Sequence, residues 1–402
     1  MSEPGPTLAD LRRSPNALAG HYRRFRVAER LLLSGHSHQA WPDVAREAVL
    51  EAFDDAARAV DAKWELALAK AERVRRGFRM LLDDAGGEIV LGASTHELVI
   101  RWLSALPLAA KPRLVTTDGE FHTLRRQLAR LAEAGIEVVR VAAAPVATLA
   151  ERLAGETDER TAAVLTSAVF FETARIVPHL GELAAACERQ ATPLLIDAYH
   201  ALGVLPFSLR DLGLESALVT GGGYKYLQLG EGNCFLRLPR GLELRPVVTG
   251  WFAEFFTKDG TKDQDIVEYG RGAAALAGAT YDPTSHYRAA RVFDFFAEQA
   301  MTSAFLREVS RHQVGLLARS FDALELPESA IRRDRSTPLE GLAGFLALDS
   351  PVAQALCERL LVKGVLSDAR GRSLRLGPAP YLCDEQLLRA ISLLGEAVRE
   401  LD

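Results

Sequence analysis

The sequence lacks the features that mark a membrane-spanning or secreted protein. No run of about 18 apolar residues occurs anywhere in the chain, and the first residues, MSEPGPTLADLRRSPN, contain no apolar segment behind basic residues. We therefore predict a cytoplasmic protein that makes no membrane contact.

Cysteine is scarce, and signals for polyanion binding are missing as well. Cys187, Cys234, Cys357 and Cys383 are far apart and form no metal-binding or redox spacing, which favours reduced thiols in a cell interior and no metal site. The net charge is only -5 and no basic cluster alternates with aromatic residues. Nucleic acids and acidic membranes are therefore poor partner candidates.

The pattern of apolar runs predicts an α/β protein. Short apolar runs at Ile136–Val141 and Ala162–Ser167 each follow a helical segment, which is typical of a mostly parallel sheet covered by helices. A chain of 402 residues is too long for one ordinary core, so we expect two domains.

Two neighbouring stretches carry the candidate chemistry. Pro193–Asp197 is an apolar run that ends in a carboxylate, as a buried parallel strand would, and ligands bind outside such strand ends. Ala217–Thr220 leads into three glycines, Tyr224 and Lys225, so a lysine leaves a strand on a glycine turn. Each feature alone is common, since a strand-end Asp often binds nothing and such a lysine is usually solvated. Together they fit pyridoxal phosphate, which needs an amine for its aldehyde and an acid for its pyridine nitrogen.

The same stretches carry a family resemblance. DAYHALG followed by GGYKYLQLGEG resembles the Asp-x-x-His and Tyr-Lys-Tyr-Leu-Asn-x-Gly blocks of kynureninases, fold-type I pyridoxal phosphate enzymes of the class V aminotransferase superfamily. The resemblance implies that Lys225 forms the Schiff base and that Asp197 pairs with the pyridine nitrogen. His200 would lie beside the ring.

Further matches imply how the cofactor phosphate is held. Ser94 and Thr95 follow a short strand and open a helix, whose free N–H groups attract anions, and the family uses a Ser/Thr pair there. Tyr224 would also bind the phosphate and help to relay protons. Trp251, in a Gly-Trp-Phe block, and Thr280 would reach the cofactor of the partner subunit, which implies a homodimer with shared active sites.

The resemblance also implies contacts to the ring and the substrate. Phe121 matches the aromatic residue that stacks on the cofactor, although a lone Phe is more often a core residue. Gly35 and Ser37 match a Gly-Asn-Ser block that lines the substrate pocket, with His36 in the place of the Asn, although His36 could equally be a surface histidine. Tyr281 occupies the place of a residue that touches the substrate. Arg375, in a Leu-Arg-x-Gly block, is the candidate for the substrate carboxylate, because guanidinium groups bind carboxylates in a bidentate manner.

The sequence departs from the family pattern at four of these places. His122 replaces a Pro, Leu124 stands where an Asp is common, and His36 and Tyr281 each stand where an Asn is usual. These changes bear on the reaction and the substrate, so the alternatives remain open: transamination or lyase chemistry on another amino acid, or a non-catalytic member that retains the fold.

The complete expectation is a fold-type I homodimer that binds pyridoxal 5'-phosphate. Residues 1–40 would form a polar arm with a helical piece around Ala17–Arg30, residues 41–283 a large domain with a mostly parallel, seven-stranded-type sheet, and residues 284–402 a small α+β domain. The leading functional expectation is a kynureninase-like hydrolase that cleaves the Cβ–Cγ bond of kynurenine or a similar amino acid. A class V aminotransferase or lyase is the alternative.

Overall fold

The computed structural model describes residues 5–255 and 266–401. In these residues the α-helices are α1 (Leu8–Arg12), α2 (Val44–Ala59), α3 (Lys63–Leu81), α4 (Thr95–Leu103), α5 (His122–Glu133), α6 (Leu149–Gly155), α7 (Leu180–Arg189), α8 (Thr284–Glu298), α9 (Ser303–Asp322), α10 (Ala353–Val362) and α11 (Asp384–Arg399). The strands are β1 (Leu31–Leu32), β2 (Glu88–Gly92), β3 (Arg113–Thr117), β4 (Glu137–Val141), β5 (Thr161–Ser167), β6 (Leu194–Asp197), β7 (Leu218–Gly222), β8 (Cys234–Leu238), β9 (Arg332–Arg333), β10 (Leu346–Asp349), β11 (Val365–Leu366), β12 (Asp368–Arg370) and β13 (Ser373–Leu376).

The large sheet has seven strands in the order β2-β8-β7-β6-β5-β3-β4. Strands β4, β3, β5, β6 and β7 are parallel neighbours, whereas β8 runs antiparallel to both β7 and β2. The α/β fold with a mostly parallel seven-stranded sheet is therefore confirmed. Because β5, β6 and β7 are parallel, the residues at their carboxyl ends share one edge of the sheet.

The sheet separates two hydrophobic cores because its strands are buried on both faces. Leu195 and Leu218 pack into one core with α4 and α5, whereas Ile196 and Val219, their neighbours in sequence, pack into the other with α3, α7 and α8. Successive side chains of a strand point to opposite faces, so an uninterrupted apolar run fills both cores.

The C-terminal part contains an antiparallel sheet in the order β12-β13-β10-β9. The same part of the chain contains α9, α10 and α11. β1, near the N-terminus, pairs in parallel with β11, with Leu31 opposite Val365. The division into residues 1–40, 41–283 and 284–402 stays a prediction.

The N-terminal segment differs from the expected polar arm. Instead of one helical piece, three short 3-10 turns follow one another between Ala19 and Glu29, and Arg26 between the last two has a φ of 53°. Leu11, Leu18 and Tyr22 are buried in the core. The expectation was wrong because these apolar residues are spaced irregularly, which suits a series of tight turns packed on the core better than a regular helix.

Within residues 5–255 and 266–401, no helix is long and apolar enough to cross a membrane. In the same residues, no group of three or more His, Cys, Asp or Glu side chains could hold a metal ion.

Candidate active site

A cavity of about 270 Å³ lies at the carboxyl ends of β5, β6 and β7. Its wall includes Ser94, Thr95, Phe121, Ser167, Asp197, Tyr199, His200, Tyr224, Lys225 and Cys234. The predicted residues Ser94, Thr95, Phe121, Asp197, His200, Tyr224 and Lys225 therefore meet at one site, although they come from four separate parts of the sequence.

A glycine at position 222 allows the lysine turn to approach the neighbouring strand ends. A Cβ atom there would overlap the Tyr199 hydroxyl and lie 2.6 Å from Cys234 Sγ. The turn is closed by hydrogen bonds from the Gly223 N–H to the Asn233 carbonyl (2.9 Å) and from the Leu229 N–H to the Gly223 carbonyl (2.8 Å). The missing side chain thus permits the close packing that turns the chain back into the cavity.

Lys225 is a buried amine surrounded by aromatic rings. Its Nζ lies 2.6 Å from His200 Nε2, 4.6 Å from the centre of the Tyr199 ring and 5.3 Å from that of Phe121. Burial lowers the pKa of Lys225 to about 7, and the negative charge of Asp197 only partly offsets this. A large fraction of this amine is therefore neutral near pH 7, which makes it a competent nucleophile and proton acceptor.

His200 is buried beside that amine and is neutral. Burial, followed by the charge of Lys225, holds the pKa of His200 well below its ordinary value. Its Nδ1 has no hydrogen-bond partner in the described part of the chain. A neutral imidazole at this distance exchanges a hydrogen bond with Lys225 without adding a second positive charge.

Asp197 ends β6 at the floor of the cavity. Its Oδ1 accepts a hydrogen bond from the Tyr199 N–H at 2.8 Å. Burial raises the pKa of Asp197, whereas the Tyr199 N–H and the charge of Lys225 act in the opposite direction. The carboxylate can pair with a cationic ring nitrogen in the cavity.

Glu120 is a second acid at this strand edge, and the sequence analysis missed it. The side chain is only 2% exposed, and its oxygens accept hydrogen bonds from the Thr117 hydroxyl (2.8 Å), the Ser167 N–H (3.0 Å) and the Ser167 hydroxyl (2.7 Å). Burial raises the pKa of Glu120 to about 7, and the charge of Asp197 also raises it. An isolated acid in the turn after β3 gave no sequence signal beyond its position next to Phe121.

The N-terminus of α4 borders another part of the cavity wall. The Ser94 hydroxyl accepts a hydrogen bond from the Glu97 N–H at 3.2 Å and thereby caps the helix, while Thr95 is the first helical residue. Free N–H groups and the positive end of the helix dipole favour an anion there. Tyr224 lies on the same wall, and burial raises its pKa to about 12, so its hydroxyl is a neutral donor.

His36, Ser37 and Arg375 do not line the cavity, but meet around Asp368 in the layer behind His200. Arg375 is buried and pairs with Asp368, while its Nη1 donates to the Phe171 carbonyl at 2.6 Å. The Ser37 hydroxyl donates to Asp368 at 2.9 Å. Both ring nitrogens of His36 and Nε of Arg375 lack a hydrogen-bond partner among the described residues. The predicted contacts of these three residues with substrate stay predictions.

The remaining predicted residues lie outside the cavity wall of this chain. Trp251 is 55% exposed and its Nε1 donates to the Thr280 hydroxyl at 3.3 Å. Tyr281 is 36% exposed and packs edge-on against Trp64 at 5.7 Å between ring centres. We call the segments 247–255 and 266–281 the rim; it also exposes Val247, Val248, Phe255, Ile266 and Val267.

The lysine turn is joined to the N-terminal segment through Gln228. This residue is fully buried with a φ of 59°. Its amide oxygen accepts from the Tyr22 hydroxyl at 2.5 Å, and its amide nitrogen donates to the side chain of Gln39 at 2.9 Å. No sequence motif indicated a role for these three residues.

No family model matches the sequence. An uncharacterized aminotransferase, YcbU of Bacillus subtilis, is 23% identical over 345 residues, which span 82% of this chain and 84% of that protein.

Solved structures share the fold over nearly the whole chain. A mutant of C-DES with glycine covalently linked to its PLP cofactor superposes with a TM-score of 0.79 at 16% identity, covering 94% of this chain and 98% of that one. C-DES is described elsewhere as a cystine C-S lyase in complex with its product, cysteine persulfide. The apo cysteine desulfurase of Thermococcus onnurineus NA1 has a TM-score of 0.78 at 16% identity and covers 96% and 98% of the two chains. The chain therefore has the fold of fold-type I, pyridoxal phosphate-dependent enzymes, and it is similar in sequence to an aminotransferase over most of its length.

Proposed function

We propose that this chain is a pyridoxal 5'-phosphate-dependent enzyme of the class V type that acts on an amino acid as an aminotransferase or a lyase. The observation that carries the proposal is a buried, largely neutral Lys225 in one cavity with the Asp197 carboxylate and the N-terminus of α4. The relationship to an aminotransferase and the fold shared with a cystine lyase support it.

The donor set fits the three ends of the cofactor. Lys225 supplies an amine for the aldehyde, Asp197 an anion for the ring nitrogen, and Ser94 with Thr95 an N-terminal helix turn for the phosphate. Phe121 supplies an apolar ring on the wall of the same cavity. When bound, pyridoxal phosphate provides the electron sink that stabilises a carbanion next to the amino nitrogen.

The residues around Lys225 suit proton transfer at the substrate's α-carbon. With a pKa of about 7, Lys225 can accept a proton at Nζ and return it near physiological pH. His200, at 2.6 Å, orients this nitrogen by a hydrogen bond. Burial keeps this amine largely neutral near pH 7, and the rings of Tyr199 and Phe121 lie 4.6 and 5.3 Å from it.

Hydrolysis of kynurenine is the finer expectation from the sequence resemblance, and the comparisons favour its alternative. A hydrolase requires a group that activates water, and the sequence does not identify one. Leu124, where kynureninases commonly have an Asp, is buried in an apolar core with α4. We therefore place the aminotransferase or lyase first.

Desulfuration through a cysteine persulfide is disfavoured by the placement of the thiols. Cys187, Cys234 and Cys383 are buried, and Cys357 is part of α10. Burial raises the pKa of Cys234, the cysteine on the cavity wall, to about 11. A thiolate that could take up sulfur from the substrate is thus not presented to the cavity.

A homodimer with shared active sites is part of the proposal. The rim exposes several large apolar side chains, and apolar patches on soluble proteins commonly mark interaction surfaces. The partner subunit would cover this patch, and the Trp251 N–H and the Thr280 hydroxyl would then reach the partner's phosphate site.

The test is a cofactor analysis followed by a substrate panel. The purified protein should absorb visible light, and borohydride reduction followed by peptide mass spectrometry should place the cofactor on Lys225. Incubation with cystine, with amino acids plus a keto acid, and with kynurenine then separates lyase, aminotransferase and hydrolase by their products. Absence of cofactor, or attachment at another residue, would refute the proposal, whereas alanine and anthranilate from kynurenine would restore the hydrolase.

A further inference from the structure

The buried carboxyl group of Glu120 has no cationic partner among the described residues. In the described part of the chain it forms no ion pair, and its hydrogen bonds come only from Thr117 and Ser167. An isolated buried carboxylate is expensive, because desolvation penalises the charged form. Three donors and no acceptor nevertheless face its two oxygens, an arrangement that suits the ionised form.

Ser167 connects this carboxyl group to Asp197. Ser167 ends β5 directly opposite Asp197 at the end of β6, and both its N–H and its hydroxyl donate to Glu120. Cα atoms of paired strands are about 5 Å apart, so the two acids lie on either side of one residue. Their charges therefore repel each other in surroundings with little water, which is consistent with the effect of Asp197 on the pKa of Glu120.

A purely structural role would be to tie the end of β3 to the end of β5. Neutral side chains such as Gln or Asn are sufficient for that task and do not incur the cost of burying a charge. The cost is offset if a positive charge comes to this end of the cavity. Lys225 is one such charge, but its amine is reserved for the aldehyde in the proposed function.

We propose that Glu120 is a positioning residue that acts through Asp197: its negative charge reinforces that of Asp197 and so keeps the pyridine nitrogen of the bound cofactor protonated. This inference rests on the proposed function. Two buried carboxylates stabilise a cationic ring nitrogen more than one does, because Coulomb interactions are strong where water is excluded. The cationic ring nitrogen would in turn favour the ionised form of Glu120.

The experiment compares pyridoxal phosphate with its 1-deaza analogue, in which carbon replaces the ring nitrogen. Cofactor is removed from the full chain, and the dissociation constant of each compound is measured by fluorescence titration for the wild type and Glu120→Gln. The readout is the preference ratio, the dissociation constant of the analogue divided by that of pyridoxal phosphate. We expect Glu120→Gln to lower this ratio about 10-fold, equivalent to about 1.4 kcal/mol.

Two further variants make the result decisive. Asp118→Asn removes an exposed acid from the same turn and should leave the ratio unchanged. Thr117→Val removes one hydrogen bond to Glu120, disfavours its ionised form and should lower the ratio about 3-fold. This variant carries the test alone if Glu120→Gln does not fold, as judged by circular dichroism.

The possible outcomes separate this inference from the proposed function. If the wild type prefers pyridoxal phosphate but neither folded variant changes the ratio by more than about 2-fold, Glu120 has only a structural role and the inference is wrong. An equal fall in the ratio for Asp118→Asn would also overturn it, because the effect would then not be specific to the buried acid. If the wild type binds neither compound, the proposed function itself fails.

Discussion

The floor of the cavity and the rim differ in how completely one chain defines them. At the floor, Lys225, His200 and Glu120 are buried, and each has a hydrogen-bond partner from another segment. At the rim, Trp251 and Tyr281 are exposed and contact mainly other rim residues and α3. In the proposed function, the acid–base groups come from the sheet edge of one chain, whereas the phosphate site at the N-terminus of α4 would be completed by Trp251 and Thr280 of a second subunit.

Lys225→Ala, which removes the amine at the floor of the cavity, should have the largest effect. We expect the cofactor no longer to be covalently bound and turnover to fall by about 10³-fold or more, because both the nucleophile and the proton acceptor are lost. The visible spectrum and single-turnover rates measure this. Lys111→Ala, which changes a lysine outside the cavity, should behave as the wild type. Full turnover by Lys225→Ala would exclude the assigned role.

Glu120→Gln should change how the stability of the cofactor-free protein depends on pH. In the folded protein the pKa of Glu120 is about 7, above the ordinary value of 4.5. The protonated carboxyl group therefore contributes fully to the stability of the fold below pH 4.5, and this contribution is lost as pH rises through about 7. We expect Glu120→Gln to gain about 3 kcal/mol in unfolding free energy, relative to the wild type, between pH 4.5 and pH 8. Urea unfolding at several pH values measures this difference, and a constant difference would contradict the burial argument.

Arg375→Lys tests the buried cluster around Asp368, outside the cavity wall. A lysine retains the charge but cannot form the guanidinium's paired hydrogen bonds, so KM for a carboxylate substrate should rise about 30-fold with a smaller change in kcat. Steady-state kinetics gives both constants. Arg372→Lys, which changes an exposed arginine paired with Asp349, is the matched control. Equal effects of the two substitutions would remove Arg375 from substrate recognition.

Trp251→Phe, which tests the role of the indole N–H at the rim, should have the smallest effect. The phenylalanine retains an aromatic ring in the apolar patch, so the dimer should persist. It lacks the indole N–H, and we expect the loss of that one hydrogen bond to weaken cofactor binding about 10-fold. Light scattering and cofactor titration measure the two properties. Trp251→Ala should weaken both dimerisation and cofactor binding. If neither variant changes cofactor binding, Trp251 does not contact the partner's cofactor.

The sheet edge was predictable because its signals are local in sequence. An apolar run stopped by Asp197 and a run followed by three glycines and Lys225 each report a strand end, and parallel strands bring such ends together. The structure places both residues on the wall of one cavity, together with Phe121 and Thr95.

The partners of these residues were not predictable in the same way. The contact of Glu120 with Ser167 joins residues 47 positions apart, and the contact of Arg375 with Asp368 depends on the register of β12 with β13. Neither contact has a compositional signature. The turns between Ala19 and Glu29 were missed because irregularly spaced apolar residues show no helical or strand period.

The hydrogen bonds of Gln228 tie the geometry of the reactive amine to the start of the polypeptide. Tyr22 and Gln39 form hydrogen bonds with the side-chain amide of Gln228, which is only three positions after Lys225. The first forty residues therefore stabilise the lysine turn. A chain shortened to begin after Gln39 would retain every residue of the cavity wall, yet it would lose both hydrogen bonds that hold Gln228 in place.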